Sequence, residues 1–450
     1  MKQRLLVQTQ LSNYSDKGKY ILEADSGWQM TINRCREMLK LNSELHIDIM
    51  GPLTDSDNDR NQCITHPFDI NPDLWEKYGE DGEKRLRYIE HRIIPNAVVT
   101  RYDFDWTSLA IALDLGMHKI GGAPKYDVMY VNDPMHLRNF KAMFHVVGGY
   151  QPKFAVHSHF IDNPSCPKFP KEASLWFGQC EAAIRADVNF WQCESAMKVF
   201  FYEMREFFTP PVVEYTKEKS VPWDDGYSIE EITSEINMSN IRFDMKKLDK
   251  LMIEENKTVV FVPNRVGGRG RSSDYTNCGK FMFELLPEIR KKRQDFIVIA
   301  GNPSQKFSNS ELEAECGKNG YVNLVPDALN RDEYKYVAKI ADIAVSLYGL
   351  DGDAYGGTAT RECIEHSCAP LWLDCHEYSH LARAVGYESY LAKPDFSDFV
   401  DKTTELLKLI DEDNCLQLNK HVQDLKTVIR NKCSFEATTP AAMGRMGLLK

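Results

Sequence analysis

Residues 351–362 read Asp-Gly-Asp-Ala-Tyr-Gly-Gly-Thr-Ala-Thr-Arg-Glu, and their setting decides the fold class. They follow an apolar run, Ile343 to Leu347, and feed a helical segment, Thr360 to His366, after which Leu371 to Leu373 is apolar again. A short buried strand, a glycine-rich turn, a helix and a second strand form a βα repeat, the building block of a parallel sheet. Gly356 and Gly357 let backbone N–H groups approach an anion closely, and Thr358 adds a hydroxyl. The helix N-terminus contributes partial positive charge. Glu362, one turn in, can accept hydrogen bonds from ribose hydroxyls. The same pattern also suits a plain turn followed by an acid that the helix dipole favours.

Working back along the chain, the alternation continues. Thr258 to Pro263, Phe296 to Ala300 and Val322 to Val325 read as strands, with helices over Lys280 to Arg290 and Asp332 to Ile340. The first of these strands runs into Pro263-Asn-Arg265-Val-Gly-Gly-Arg269-Gly-Arg271, followed by Asn277, Gly279 and Lys280. Cations placed after a strand can stabilise the charge that develops on a departing diphosphate. Arginine does so with a fork and lysine with a point charge.

The amino-terminal half carries strand-like runs at Arg4 to Gln8, His46 to Met50, Asp127 to Asn132 and Phe154 to His157, with a helix over Trp28 to Leu41. A further helix is expected from Asn189 through Phe207, ended by Thr209-Pro210-Pro211. In Ala155-Val156-His157-Ser158-His159, the two histidines at i and i+2 point the same way from a strand end. No companion Cys or acid recurs with matching regularity, so no metal site is expected. Asp133, in Val131-Asn132-Asp133-Pro134, lies at another strand end, where it either meets a substrate or makes a turn. The expected domains are 1–215, a connecting segment 216–255, a second α/β domain 256–430, and a tail 431–450.

Length and composition agree. A chain of 450 residues exceeds the size at which one core keeps growing, so two domains of roughly 200 residues each are expected. Hydrophobic residues at 43% and charged ones at 27% are ordinary for a folded globular protein. A net charge of -11, with a pI near 5.6, argues against nonspecific coating of nucleic acid, which needs clustered cations. Twelve cysteines show no C-x-x-C spacing and read as reduced, buried thiols. The start, Met1-Lys-Gln-Arg-Leu-Leu-Val-Gln8, reads as a first strand rather than a signal peptide, and no stretch approaches about 18 apolar residues. A cytoplasmic location is the expectation.

The stretch around residues 351–370 resembles the signature of GT-B retaining glycosyltransferases of family 4, in which an acid, a Gly and a second Glu precede a small-residue helix and a Pro-led strand. The resemblance implies an α/β GT-B fold: two Rossmann-like domains with parallel sheets facing a central cleft. It implies that Glu362 holds the donor ribose, and that Gly356, Gly357 and Thr358 meet the donor phosphates. Arg265 and Lys280 form the cation clamp, with Arg269 or Arg271 able to replace Arg265. His157 or His159 approaches the donor sugar; Asp133, from its strand-end position alone, either meets the acceptor or makes a turn. Ala354 stands where the first acid belongs, with Asp353 beside it, so the sugar contact is shifted or missing.

The implied reaction moves a sugar from a nucleoside diphosphate sugar, UDP being the expected nucleotide, to an acceptor hydroxyl with retention. The donor is a substrate, and no tightly bound cofactor is expected. The acceptor is a carbohydrate or a hydroxymethylated base in phage DNA. Arg85, Arg87, Arg92, Arg101 and Trp106 would line a DNA groove or simply form a solvated face. The competing readings are a GT-B-type sugar-nucleotide epimerase or phosphorylase, and a non-catalytic nucleotide-sugar-binding protein.

Overall fold

The computed structural model describes residues 3–8, 26–52, 69–70, 85–91, 126–132, 134, 137–145, 150–159, 173–266, 277–303, 309–325, 328–347, 358–374, 378–411 and 415–449. The chain divides into two units, Met1–Asp225 with Thr438–Lys450, and Gly226–Ala437. The expected boundary at 215 and the separate tail from 431 differ from this division. Residues 216–225 complete the first unit, and the last thirteen residues return to it.

Unit 1 runs β1 (Gln3–Gln8), α1 (Ser26–Leu41), β2 (Leu45–Pro52), β3 (Asp69–Ile70), β4 (Leu86–His91), β5 (Val128–Val131), β6 (Lys153–Ser158), β7 (Val188–Trp191), α2 (Glu194–Phe207) and β8 (Ser220–Pro222), with shorter helices between. Among the described residues the sheet has eight strands in the order β3-β4-β2-β1-β5-β6-β7-β8. All neighbours pair parallel except β3 with β4. Alternate residues feed opposite faces: Leu5, Val7, Val128, Tyr130 and Ala155 pack on one side, Leu6, Met129, Val131, Phe154 and Val156 on the other. A parallel sheet must be covered on both faces, and these near-continuous apolar strands meet that demand.

The four strands read from the first half are present. The expected helix over Asn189 to Phe207 is corrected: its first residues form β7, four buried residues in register with β6. Helix α2 starts only at Glu194, where Cys193 Sγ accepts the Ala196 N–H at 3.2 Å. The β-favouring Val-Asn-Phe-Trp run outweighs the helical spacing.

Unit 2 runs β9 (Thr258–Val266), β10 (Phe296–Pro303), α3 (Arg331–Ile340), β11 (Ile343–Ser346), α4 (Thr358–Glu365), β12 (Ala369–Trp372), α5 (Leu416–Cys433) and the start of α6 (Phe435–Met446). Its described strands are all parallel, in the order β10-β9-β11-β12. Val322 to Val325, expected as a strand, forms none: its pairing with the sheet is an isolated Tyr321 to Val298 bridge, with the Val322 N–H donating to Val298 O at 2.9 Å. β9 extends three residues past Pro263, because an irregularity opposite Ala300 and Asn302 accommodates the proline's missing N–H. The helical stretch from Asn277 to Lys292 likewise absorbs Pro287 with a wider turn, in which the Leu286 N–H reaches Phe281 O.

The eight cysteines whose side chains are described are all thiols, seven of them buried. No described helix is long and apolar enough to cross a membrane.

In α6, Ala442, Met443 and Met446, with Leu448 beyond, complete the core that α1 and the first sheet form. Met443 is fully buried, only seven residues from the end of the chain. Met443→Ala should therefore cost about 2–5 kcal/mol of unfolding free energy, read as a lowered urea midpoint. A change indistinguishable from wild type would show that the carboxyl-terminal segment contributes no core.

Candidate functional site

In each unit the strand order reverses beside one central strand, and crevices outside the carboxyl ends of strands at such a reversal are where open α/β sheets bind ligands. In unit 1 the reversal lies between β1 and β5, in unit 2 between β9 and β11. Of the sequence-expected site residues, His157 and His159 lie at the end of β6 and Glu362 on the helix that follows β11.

In unit 1, Gln8 ends β1, Asn132 follows β5, and His157 and His159 close β6. The two imidazoles stack, with centroids 4.4 Å apart and an 18° interplanar angle, as their i, i+2 spacing requires. Their surroundings differ. His157 is fully buried between Trp223, stacked at 5.8 Å, and the edges of Tyr130 and Phe190. Its Nδ1 lies 2.5 Å from the Tyr130 hydroxyl and 3.0 Å from Arg34 Nη1. With two donors facing Nδ1, the proton belongs on Nε2, which lies 3.3 Å from Asp225 Oδ1 without a hydrogen bond among the described residues. Burial, followed by Arg34 and His159, pushes His157 well below its ordinary value of 6.5, against the opposing pull of Asp225.

His159 retains some exposure. Its Nδ1 lies 2.8 Å from Asp225 Oδ2 and its Nε2 3.1 Å from Asn132 Oδ1. The Asn132 amide cannot turn round, because its Nδ2 donates to Gln8 O at 2.6 Å. Oxygen acceptors thus flank both ring nitrogens.

Asp225 is the hub of this cluster. Arg34 donates to it at 3.0 Å and to the Asp224 carbonyl at 2.9 Å, with its guanidinium carbon 4.4 Å from the Trp223 ring centroid. Burial alone would raise the Asp225 carboxyl, but His159, His157 and Arg34 outweigh it and hold the group well below the usual carboxylate range.

One ligand atom each from His157, His159 and Asp225 lies within 4.8 Å of the others, the one such group among the described residues. Arg34 already supplies the counter-charge, and a divalent ion would sit against its guanidinium. The donor set therefore fits a hydrogen-bonded network better than a cation.

In unit 2, Glu362 sits on the second turn of α4, which other groups fasten on several sides. Tyr334 Oη donates to Ala359 O at 2.9 Å, Trp372 Nε1 to Thr360 Oγ1 at 3.1 Å, and Arg361 Nη1 to Tyr378 Oη at 2.6 Å. Glu365, one turn on, accepts from Tyr227 at 2.5 Å and from Arg430 at 2.7 Å. Glu362 itself faces Arg331, whose Nη2 and Nη1 reach its two oxygens at 2.7 and 3.2 Å.

Lys280 ends the short helix Asn277–Lys280, half-buried. Arg265 lies within β9, paired with Asn302, rather than after the strand as expected. Thr358 opens α4. Asp133, Arg269, Arg271, Asp353, Gly356 and Gly357 lie outside the described residues, as do Arg92, Arg101 and Trp106. Arg85, weighed as a DNA contact, caps the end of α1 by donating to Leu39 O and Asn42 O at 3.2 and 3.3 Å.

Sequence reasoning missed Arg34, Tyr130, Trp223, Asp225, Glu231 and Arg331. A signal existed for Arg34, which lies one helical turn before Met38 on the apolar side of α1 and is 2% exposed. For Arg331 the local signal was Asn330 and Glu333, a capping box that places it at the first helical position.

No family model matches the chain, and no curated protein matches it in sequence. Solved structures match it nearly end to end. An α,α-trehalose 6-phosphate synthase from Burkholderia multivorans gives a TM-score of 0.65 at 11% identity, over 99% of this chain and 96% of that one. A sucrose-phosphate synthase from Thermosynechococcus elongatus gives 0.63 at 11%, over 99% and 98%. A trehalose-6-phosphate structure from E. coli, bound with UDP-2-fluoro glucose, gives 0.62 at 11%, over 98% of both chains. At this identity the likeness shows the fold, the GT-B architecture that residues 351–370 suggest.

The buried neutral His157 sets a pH dependence. Between its depressed folded value and 6.5, the unfolded chain takes up a proton that the folded chain refuses, so stability falls as pH drops below 6.5. Lowering the pH from 7.5 to 5.5 should remove on the order of 1 kcal/mol through this group. The urea midpoints of wild type and His157→Gln, measured at both pH values, isolate the contribution. An equal pH response in the variant would remove His157 as its source.

Proposed function

We propose that this chain is a glycosyltransferase that moves a sugar from a UDP-sugar to an acceptor hydroxyl with retention at the anomeric carbon. The observation that carries the reading is Glu362 on α4, the helix that follows β11 at the strand reversal of unit 2. It coincides with a fold shared over 98% of the chain with a structure bound with UDP-2-fluoro glucose. A carboxylate near a helix start suits the ribose, while the backbone N–H groups of that start suit a diphosphate.

The roles follow from the chemistry each side chain offers. Lys280 and Arg265, with Arg269 and Arg271 from the sequence that follows β9, supply cations for the departing diphosphate. Gly356, Gly357 and Thr358 supply backbone approach and a hydroxyl, with Asp353 toward the sugar. Of the two histidines, His159 is the one with exposure, so it is the imidazole that approaches substrate, and His157 supports it from beneath. Asp133 stays on the acceptor side. A same-face transfer, in which the leaving phosphate helps deprotonate the acceptor, asks the protein only for this clamp and for orientation.

For the acceptor, a carbohydrate is the better-supported class. A related fold, a UDP-forming α,α-trehalose-phosphate synthase from Burkholderia xenovorans, is in complex with glucose-6-phosphate, and Arg85 is committed to capping a helix.

Mass spectrometry after incubation with a panel of nucleoside diphosphate sugars, sugar phosphates and hydroxymethylated DNA tests this. UDP should form only when a sugar acceptor is present. Glu362→Ala and Lys280→Ala should each lower turnover about 100-fold. Full activity in both variants would sink the site assignment, and modified DNA as the sole product would replace the acceptor class.

A further inference from the structure

We infer that Arg331 is the positioning residue that orients Glu362 for the two hydroxyls of a ribose, and that Glu231 in turn fixes Arg331. This rests on the reading of Glu362 as the ribose-holding acid.

The geometry is a double fork. End-on, Arg331 Nη2 and Nη1 take the two oxygens of Glu362 at 2.7 and 3.2 Å. Side-on, Nε donates to Glu231 Oε1 at 2.9 Å, and Nη2 also pairs with Glu231 Oε2. Four of the five guanidinium N–H bonds thus go to two carboxylates. Burial works against the guanidinium charge, but Glu362 and Glu231 outweigh it and push Arg331 well above its ordinary value. The Tyr334 ring, with its centroid 5.1 Å from the guanidinium carbon, closes another side.

This arrangement has a stereochemical consequence. Each Glu362 oxygen accepts one hydrogen bond from Arg331, which turns the carboxylate to a fixed angle, and the Tyr334 hydroxyl lies within reach of the same carboxylate. Two vicinal hydroxyls can share the lone pairs that remain. Lysine, a single point charge, cannot fix the rotation of the carboxylate. The anchors come from distant parts of the chain: Glu231 lies 100 residues before Arg331, in the helix Ile229–Thr233, and Glu362 lies 31 residues after it.

Calorimetric binding of UDP and of 2′,3′-dideoxy-UDP to the full chain, in wild type and variants, separates the possibilities. Wild type should prefer UDP by about tenfold or more, a charge-assisted hydrogen bond to each hydroxyl being at stake. Arg331→Lys and Glu362→Gln should each shrink that preference to within about twofold, and combining them should do no more than Glu362→Gln alone, since Arg331 acts through Glu362. General destabilisation would weaken both nucleotides equally and leave the ratio intact. Glu231→Gln, which keeps the fork on Glu362 but removes its anchor, should move the ratio the same way and serves if Arg331→Lys does not fold. An unchanged ratio in Arg331→Lys or Glu231→Gln overturns the inference, as does additivity in the double variant. A wild type that binds UDP without preference removes the ribose role of Glu362. A wild type that binds no nucleotide refutes the UDP-sugar reading itself.

Discussion

Parallel strands cannot be joined by hairpins, and that constraint organises both units of this protein. Every return to the sheet needs a crossover, so successive strands deliver their carboxyl ends to the same edge. Where the order reverses beside β1 or β9, neighbouring crossovers depart to opposite faces and leave room at that edge. Gln8, Asn132, His157 and His159 come to one such edge from β1, β5 and β6, although 151 positions separate the first from the last. The chemistry is placed by topology, and local sequence supplies only the residue types.

At both edges the protein buries charge, and it does so by the same device. An isolated guanidinium out of water is very costly, so the buried Arg34 and the half-buried Arg331 are each shared among several acceptors. Arg34 divides its donors among Tyr130, His157, the Asp224 carbonyl and Asp225. Arg331 divides its donors between two glutamates. Replacing such groups with apolar ones of similar volume is often neutral for stability, so what the network provides is orientation. It holds His159 and Glu362 at set angles before any ligand arrives, and pre-organisation of that kind lowers the cost of binding.

What was legible in the sequence follows from range. The strands around Leu5, Ile47, Met129 and Phe154, and those over Thr258 and Phe296, announce themselves through apolar runs set by near neighbours. The errors are local too. Pro263 looked like a strand end because a proline lacks the ladder donor, but an irregular register lets β9 continue to Val266. The strand at Val188–Trp191 was absorbed into a helix because the apolar spacing continues into α2. Glu362 and the histidines were found through short motifs. Their partners were not, since Arg34 and Asp225 are 191 residues apart and nothing local to Trp223-Asp224-Asp225 distinguishes a buried hub from a solvated connector.

The two histidines show most clearly what the third dimension adds. In sequence His157 and His159 are equivalent, two residues apart on one face of a strand end. The register breaks the tie: His157 still pairs with Phe190 of β7 and lies under Trp223, whereas His159 has passed the last paired residue, Ser158. A group inside the ladder is sealed by its neighbours and forced neutral, while one a residue beyond the ladder keeps an edge toward solvent and reaches the carboxylate within hydrogen-bonding distance. Asp225 lies beside both rings, 2.8 Å from His159 Nδ1 and 3.3 Å from His157 Nε2, so the buried imidazole and the exposed one share a single carboxylate.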